Sequence, residues 1–277
     1  MNGTAPRLRV HLGLFLATIL STLFVGYLLS ADVGQAAGYS AAIMSILLVH
    51  EMGHFLMCRR YRVPATLPYF IPVPLLPFGT MGAVIRMRGQ LRSRRSIMDI
   101  GAAGPLAGLA VAIPVTLYGL QLSQVLAPGD PGLEGGFRLG DSALFWLATQ
   151  VSIGTIPEGA DVLLHPVALA GWAGFFVTGL NLLPVGQLDG GHIVYAMLGR
   201  RAVWVGRIFL AVMVGMTLFY HRGWWAMTAL LLVFMRAPHP PASDPEPLDR
   251  GRLWLGVVMM ILFVATFVPR PIVMEGP

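Results

Sequence analysis

The sequence predicts an all-α membrane protein, a polytopic bundle of about 6–7 transmembrane helices. Hydrophobic residues make up 56% of the 277 positions and charged residues only 12%, and the mean hydropathy is +0.70. Soluble domains carry about a quarter charged residues, so this composition excludes an ordinary soluble fold. Apolar runs of about 20 residues, the length that crosses a bilayer, recur along the whole chain.

The apolar runs that predict membrane spans are nearly free of charged residues. They lie near 10–30, 38–58, 97–120, 166–185, 203–220 and 253–269, with a shorter run near 223–236. The first run is longer than the core of a signal peptide, and we expect an uncleaved anchor there. With no internal repeat between the spans, residues 1–277 are predicted to form a single integral-membrane domain. A proline-rich patch at 238–247 predicts an extended connector.

The basic residues predict the orientation of the spans. All 19 are arginine. With the N-terminus inside and 223–236 counted as a span, only Arg138, Arg222 and Arg270 fall outside. The positive-inside rule therefore predicts a cytosolic or equivalent N-terminus. Arginines beside apolar spans anchor helix ends to anionic lipid headgroups, so nucleic-acid binding is not expected.

The second span contains an HExxH motif formed by His50, Glu51 and His54. Residues four apart lie on one helical face, so both imidazoles can bind one tetrahedral metal ion, and zinc suits this ligand set. Polar side chains at membrane depth cost roughly 2.5 kcal/mol or more each if charged, which favours a function over two structural histidines. Because Arg59 and Arg60 end this helix, the zinc is expected nearer the inner face.

A catalytic zinc ion takes a third protein ligand, and Asp189 is the best candidate. This residue follows an apolar run, between the helix-breaking Pro184 and a flexible glycine pair, a context in which irregular backbone can line a cavity within the membrane. His192 and Cys58 are the rival ligands. We interpret His192 as a polar residue at the start of a helix and Cys58 as a small buried hydrophobic residue.

The two motifs, HEMGH at 50–54 and NLLPVGQLDGG at 181–191, resemble the signatures of the site-2 protease family of intramembrane zinc metalloproteases. The resemblance implies that the two histidines of HEMGH and Asp189 bind one catalytic zinc ion and that Glu51 is the catalytic base. It also implies that Asn181 faces the substrate or the developing oxyanion.

This resemblance extends over most of the chain, including 78–82 and 99–105. It implies an enzyme that hydrolyses peptide bonds in or near transmembrane segments of membrane proteins, as in regulated intramembrane proteolysis. The expected partners are a transmembrane protein substrate and the lipid bilayer, with no nucleic acid and no small-molecule cofactor beyond the metal. Unlike some relatives, the sequence shows no PDZ-like domain between the motifs and no nucleotide-binding domain after the last span.

Two other functions are compatible with polar residues at membrane depth. A membrane metal transporter would spread its ligands along a pathway and show repeated halves, and no repeat is visible. A non-catalytic scaffold that binds client proteins has no need for Glu51 beside a metal. Intact HExxH and LDG motifs therefore favour the protease.

The segment 64–96 predicts a β-hairpin after the second helix that re-enters the membrane. Five prolines precede a Phe78-Gly79-Thr80-Met81-Gly82 turn, and a short strand follows it. The edge of such a hairpin could capture an unwound substrate strand. A cytosolic loop lying on lipid headgroups is equally compatible with this sequence.

Asp99 lies near the start of the third span, three residues after Ser96. This spacing is typical of a capping box, so Asp99 is predicted to cap that helix and is left out of the catalytic site.

Overall fold

A computed structural model describes residues 8–75, 78–87, 93–128, 130, 137–235 and 246–274 of the chain. The fold is mostly helical, as the composition predicts. Most of the proline-rich patch at 238–247 lies outside these residues, so its extended structure stays a prediction. Arg7, Arg88, Arg92, Glu134 and Arg236 also lie outside them.

Most helices of the described residues follow the apolar runs of the sequence, and two lie between those runs. In chain order they are α1 (Leu8–Ser30), α2 (Val33–Arg60), α3 (Arg94–Gln121), α4 (Ala143–Ser152), α5 (Pro166–Asn181), α6 (Asp189–Leu198), α7 (Ala202–Gly215), α8 (Trp225–Phe234) and α9 (Arg250–Thr266).

Within the described part of the chain, four helical runs are long and apolar enough to cross a membrane: Leu8–Ser30, Val33–Arg60, Arg94–Gln121 and Asp189–Tyr220. The last run joins α6 to α7 through a break at Gly199, whose φ is +59°. Its start at Asp189 is earlier than the span predicted near 203–220. Helices α5 and α9 match two further predicted spans, but at 16 and 17 residues they are shorter than the about 20 residues typical of a crossing.

Helices α2, α3 and α5 form the centre of the bundle, and small residues let them approach closely. A Cβ atom at Gly171 of α5 would lie 2.2 Å from the Thr116 hydroxyl of α3, so a larger residue would force the two helices apart. Trp172 and Phe175 of α5 are almost completely buried in this core. Such close packing by small residues is the usual way in which membrane helices associate.

The predicted hairpin strands are present as an antiparallel pair after α2. Strand β1 (Tyr69–Pro72) pairs with β2 (Thr80–Val84), with Phe70 opposite Ala83.

The connection between α3 and α5 has regular structure of its own, although the sequence predicts no span there. It contains α4 and three short strands, two of which pair with each other and one with a strand near the end of the described chain. These strands are β3 (Gln124–Leu126), which pairs with β5 (Asp161–Leu163), and β4 (Phe137–Leu139), which pairs with β6 (Ile272–Met274).

The β1–β2 hairpin lies along α1. Near the start of α1, the His11 ring donates a hydrogen bond to the Pro68 carbonyl over 3.0 Å. Ten residues further along, the Ser21 hydroxyl donates to the Gly79 carbonyl over 2.6 Å. The hairpin therefore follows α1 for about 15 Å, at about 1.5 Å per residue of helix.

Asp99 is not a helix cap, so that prediction is wrong. Helix α3 is capped by Ser93, whose side chain accepts the backbone N–H of Ser96 in a reciprocal capping box. The capping pattern therefore begins three residues earlier than the sequence spacing indicated. Asp99 lies beyond this first turn and instead accepts hydrogen bonds from Arg252 and Tyr61.

Candidate active site

Helix α2 supplies three side chains to a buried site. His50, Glu51 and His54 have exposed fractions of 5%, 7% and 7%. Because the two histidines are four residues apart, their rings project from one face, and their Nε2 atoms lie 3.2 Å apart.

Asp189 reaches the same point from the first turn of α6. Its Oδ2 atom lies 3.5 Å from Nε2 of His50 and 3.2 Å from Nε2 of His54. The glycine that follows it makes this approach possible, since a Cβ atom at Gly190 would lie 1.9 Å from the Leu182 carbonyl oxygen. The start of α6 is therefore pressed against the loop that precedes it.

The three ligand atoms fit a zinc ion. Zinc binds histidine nitrogen and carboxylate oxygen at about 2.0–2.2 Å in tetrahedral geometry, which requires ligand atoms about 3.3 Å apart. The observed separations of 3.2, 3.5 and 3.2 Å agree with that spacing. Three protein ligands also leave a fourth position, as catalytic zinc sites require.

The second ring nitrogen of His54 is fixed by helix α3. His54 Nδ1 lies 2.8 Å from the carbonyl oxygen of Ile100, which can only accept, so Nδ1 carries the hydrogen and Nε2 is free to bind metal. Gly104 leaves the space for this ring, because a Cβ atom there would lie 2.0 Å from His54 Nε2.

Asn181 ends α5 beside the ligand atoms. Its side-chain nitrogen lies 3.2 Å from Nε2 of His50. Asn181 and Glu51 both line the cavity into which the ligand atoms project. Another wall of the cavity comes from the end of β2 and the residues after it, namely Ala83, Val84, Ile85 and Met87. The hairpin therefore borders the site directly.

The structure brings together all five residues that the sequence nominated, which are His50, Glu51, His54, Asn181 and Asp189. Among the rivals, His192 lines the cavity but lies outside the group of ligand atoms that could share a metal ion. Cys58 is fully buried and also lies outside that group.

Two contributions to the site were missed. The Ile100 carbonyl is a backbone group, and an apolar residue gives no signal that its carbonyl binds a histidine. Gly104 lies in the stretch 99–105 that carries part of the family resemblance. Its spacing from Gly101 and Gly108 marks a helix face without side chains, a signal that could have been matched to the HExxH helix.

Comparison with known families supports the assignment of these residues to one site. A family model described as peptidase family M50 matches residues 38–220, an interval that contains both motifs and all five residues. The chain belongs to peptidase family M50. The resemblance to site-2 proteases is thereby confirmed, because M50 is the family of these proteases.

Several curated relatives of this M50 chain carry the name probable zinc metalloprotease. Probable zinc metalloprotease EGY1, chloroplastic, of Arabidopsis thaliana is 32% identical over 245 residues, which cover 87% of this chain and 44% of the relative. Probable zinc metalloprotease EGY2, chloroplastic, of Oryza sativa subsp. indica is 29% identical over 249 residues, covering 84% and 43%. This chain thus spans less than half the length of these relatives. No solved structure gives a significant match.

Proposed function

We propose that this protein is an intramembrane zinc metalloprotease that hydrolyses peptide bonds in or near transmembrane segments of membrane proteins. The observation that carries the proposal is the triangle of ligand atoms from His50, His54 and Asp189, with Glu51 beside it. In the described part of the chain it is the one group of three such ligands. A single centre suits a catalyst, whereas a transporter needs ligands along a pathway.

In this proposal each site residue has a distinct role. The two histidines and Asp189 hold the metal. When bound, zinc supplies Lewis-acid chemistry that makes water a stronger nucleophile near neutral pH. The Glu51 carboxylate accepts the proton of the attacking water and later donates it to the leaving amine. The Asn181 side-chain N–H donates a hydrogen bond to the substrate carbonyl oxygen as negative charge develops there.

We propose further that the β1–β2 hairpin re-enters the membrane and binds the substrate as an added strand. A substrate helix must unwind before its peptide bond can be attacked, and a strand edge can accept the freed backbone. Arg86 uses its backbone N–H and carbonyl to bond Thr66, on the β1 side. Because backbone groups alternate along a strand, those of Ala83 and Ile85 face the site instead.

Contacts with α1 support the depth of this hairpin. Gly79 at its tip is bonded to Ser21, which is 13 residues beyond the start of α1 at Leu8 and therefore about 20 Å along a helix that crosses the membrane. Phe78 packs on the rings of Trp172 and Phe176 in α5, with ring centroids 6.2 and 6.3 Å apart. A loop on the headgroups would not make these contacts.

We also propose the finer topology: a single integral-membrane domain over 1–277, about 6–7 crossings and a cytosolic N-terminus, as arginine placement indicates. The same orientation puts the zinc site near the inner face. The hydroxyl oxygens of Thr22 in α1 and Ser40 in α2 lie 2.7 Å apart, so these two residues are at the same depth in the bundle. His50 lies ten residues after Ser40 and is therefore about 15 Å closer to the end of α2 that carries Arg59 and Arg60.

The decisive experiment replaces Glu51 and measures cleavage in a bilayer. Purified protein in proteoliposomes is mixed with a reporter that contains one transmembrane segment. We expect Glu51→Gln to slow cleavage by at least about 10²-fold, as loss of a general base does, with zinc content unchanged. Glu158→Gln makes the same charge change at an exposed residue away from the site and serves as the control. If Glu51→Gln cleaves the reporter at the wild-type rate, the mechanism is refuted.

A further inference from the structure

The C-terminal end of α6 is bound by a side chain from another helix. The last four carbonyls of an α-helix have no partner within the helix. Arg94, the first residue of α3, donates from Nε to the Ala196 carbonyl over 2.7 Å and from Nη2 to the Met197 carbonyl over 2.6 Å. Its positive charge is also favourable at a helix C-terminus. One guanidinium therefore satisfies two of these four carbonyls.

The opposite end of α6 carries the proposed zinc ligand and has no comparable cap. Asp189 is the first residue of the helix, and its carboxylate is directed at the two histidines. The N-cap residue, Leu188, makes no side-chain capping bond in the described structure. In the described structure, the side chain that caps α6 is therefore Arg94, which lies at the end of the helix away from the ligand.

Helix α3 contacts both halves of the zinc site. Its Ile100 carbonyl binds His54, as described above. One residue later, Gly101 lets α6 lie against α3, since a Cβ atom there would be 3.2 Å from the His192 Cβ and 3.4 Å from the Asp189 carbonyl oxygen. Helix α3 is therefore the common support on which the ligands from α2 and α6 meet.

We infer that Arg94 is a positioning residue, which holds α6 against α3 so that Asp189 stays within zinc-binding distance of His54. The inference rests on the proposed zinc site. Helix α6 has 10 residues and is about 15 Å long. Without the Arg94 bonds, rocking of the helix by about 5° about its middle moves each end by about 0.7 Å, whereas zinc–ligand distances hold within about 0.2 Å. A movement of that size at the Asp189 end is enough to disturb the ligand.

The geometry also explains why this residue is arginine. Two carbonyls of successive residues are bound at once by the planar fork of a guanidinium, whereas a lysine ammonium is a single point charge. We expect Arg94→Lys to restore part of the zinc affinity that Arg94→Ala loses, because lysine keeps the positive charge but not the planar fork.

The test measures zinc affinity of the full-length protein by competition with a chelator, together with thermal unfolding of the metal-free form. We expect Arg94→Ala to weaken zinc binding by about 10–100-fold, the range found for groups that orient metal ligands. The matched control is Arg95→Ala. That neighbouring side chain is 48% exposed and pairs with Glu246 at 3.4 Å, and its loss should leave zinc affinity unchanged.

A purely structural role for Arg94 would lower the unfolding temperature without changing the zinc affinity of the folded protein, and that result would overturn the inference. Arg94→Gln, which keeps one amide donor, decides the matter in the same way if Arg94→Ala does not fold. Wild-type protein and Asp189→Ala are measured in parallel. Equal zinc affinity of these two proteins would refute the proposed zinc site itself. If Asp189→Ala loses zinc affinity and Arg94→Ala does not, only the positioning role is refuted.

Discussion

The Arg252 guanidinium binds both carboxylate oxygens of Asp99, at 2.9 and 2.7 Å. This ion pair joins the start of α9 to α3. Tyr61, which follows α2, donates its hydroxyl to the same carboxylate. Burial and the Asp99 hydrogen bond raise the pKa of Tyr61, so its hydroxyl keeps the proton that it donates. Three helices are thus tied together at the end of the bundle that carries Arg59 and Arg60.

Removing this ion pair should destabilise the protein without affecting its metal site. Both side chains are at most 30% exposed, and hydrogen bonds to charged groups contribute roughly 1.5–3 kcal/mol. We expect Arg252→Ala to lower the free energy of unfolding by about 2 kcal/mol, measured by denaturation in detergent. Arg250→Ala removes an exposed arginine from the same helical turn and is the control. Equal stability of the two variants would mean that the pair contributes nothing.

The sequence predicted the site better than the surroundings that support it. His50, Glu51 and His54 are set by helical spacing alone, and Asp189 stands out because a carboxylate is rare among apolar residues. The prediction for Asp99 is wrong because the role of this residue depends on a partner far along the chain. Its partner, Arg252, lies 153 residues away, and local spacing says nothing about a contact between distant helices.

The hairpin was half predictable. Prolines followed by Phe78-Gly79 indicated a turn and a strand, and the paired strands confirm that secondary structure. Its position beside α1 depends on contacts of His11 and Ser21, whose side chains look like ordinary polar residues in an apolar helix. The segment between the predicted spans at 97–120 and 166–185 likewise contains strands that the sequence does not indicate, because segments of three residues are too short for an alternating pattern.

The ligand assignment predicts which substitutions remove zinc. We expect His54→Ala and Asp189→Ala each to lose most of the bound metal, measured as zinc per mole of purified protein, because two remaining ligands do not close a catalytic zinc site. The rival ligands supply the controls. Cys58→Ala and His192→Asn should retain zinc, and loss of zinc from either one would show that the ligand set is wrong.

Gly104 should be required for metal binding although it contributes no ligand. A methyl group there would overlap the His54 ring, with its Cβ 2.0 Å from Nε2. We expect Gly104→Ala to displace the imidazole and to weaken zinc binding by at least about tenfold. Gly215→Ala is the matched control, since a Cβ at that helical glycine meets nothing within 4 Å. Normal zinc affinity in Gly104→Ala would mean that α3 yields without disturbing the ligands.

Gly79 at the hairpin tip should affect cleavage but not zinc content. Its φ of +75° disfavours any other residue, and a Cβ there would lie 2.9 Å from the Ser21 carbonyl oxygen. We therefore expect Gly79→Ala to push the hairpin away from α1 and to reduce the rate of reporter cleavage, while the metal ligands on α2 and α6 still bind zinc. The control separates this displacement from backbone strain.

Gly154 provides that control, because it also has a positive φ, of +90°, but a Cβ there has nothing within 4 Å. Gly154→Ala carries the strain of a left-handed residue without a collision and lies away from the hairpin. If displacement of the hairpin limits substrate binding, Gly79→Ala loses cleavage, with its main effect on KM, and Gly154→Ala does not. Equal losses in the two variants would trace the defect to general destabilisation and would remove the support for strand addition at β2.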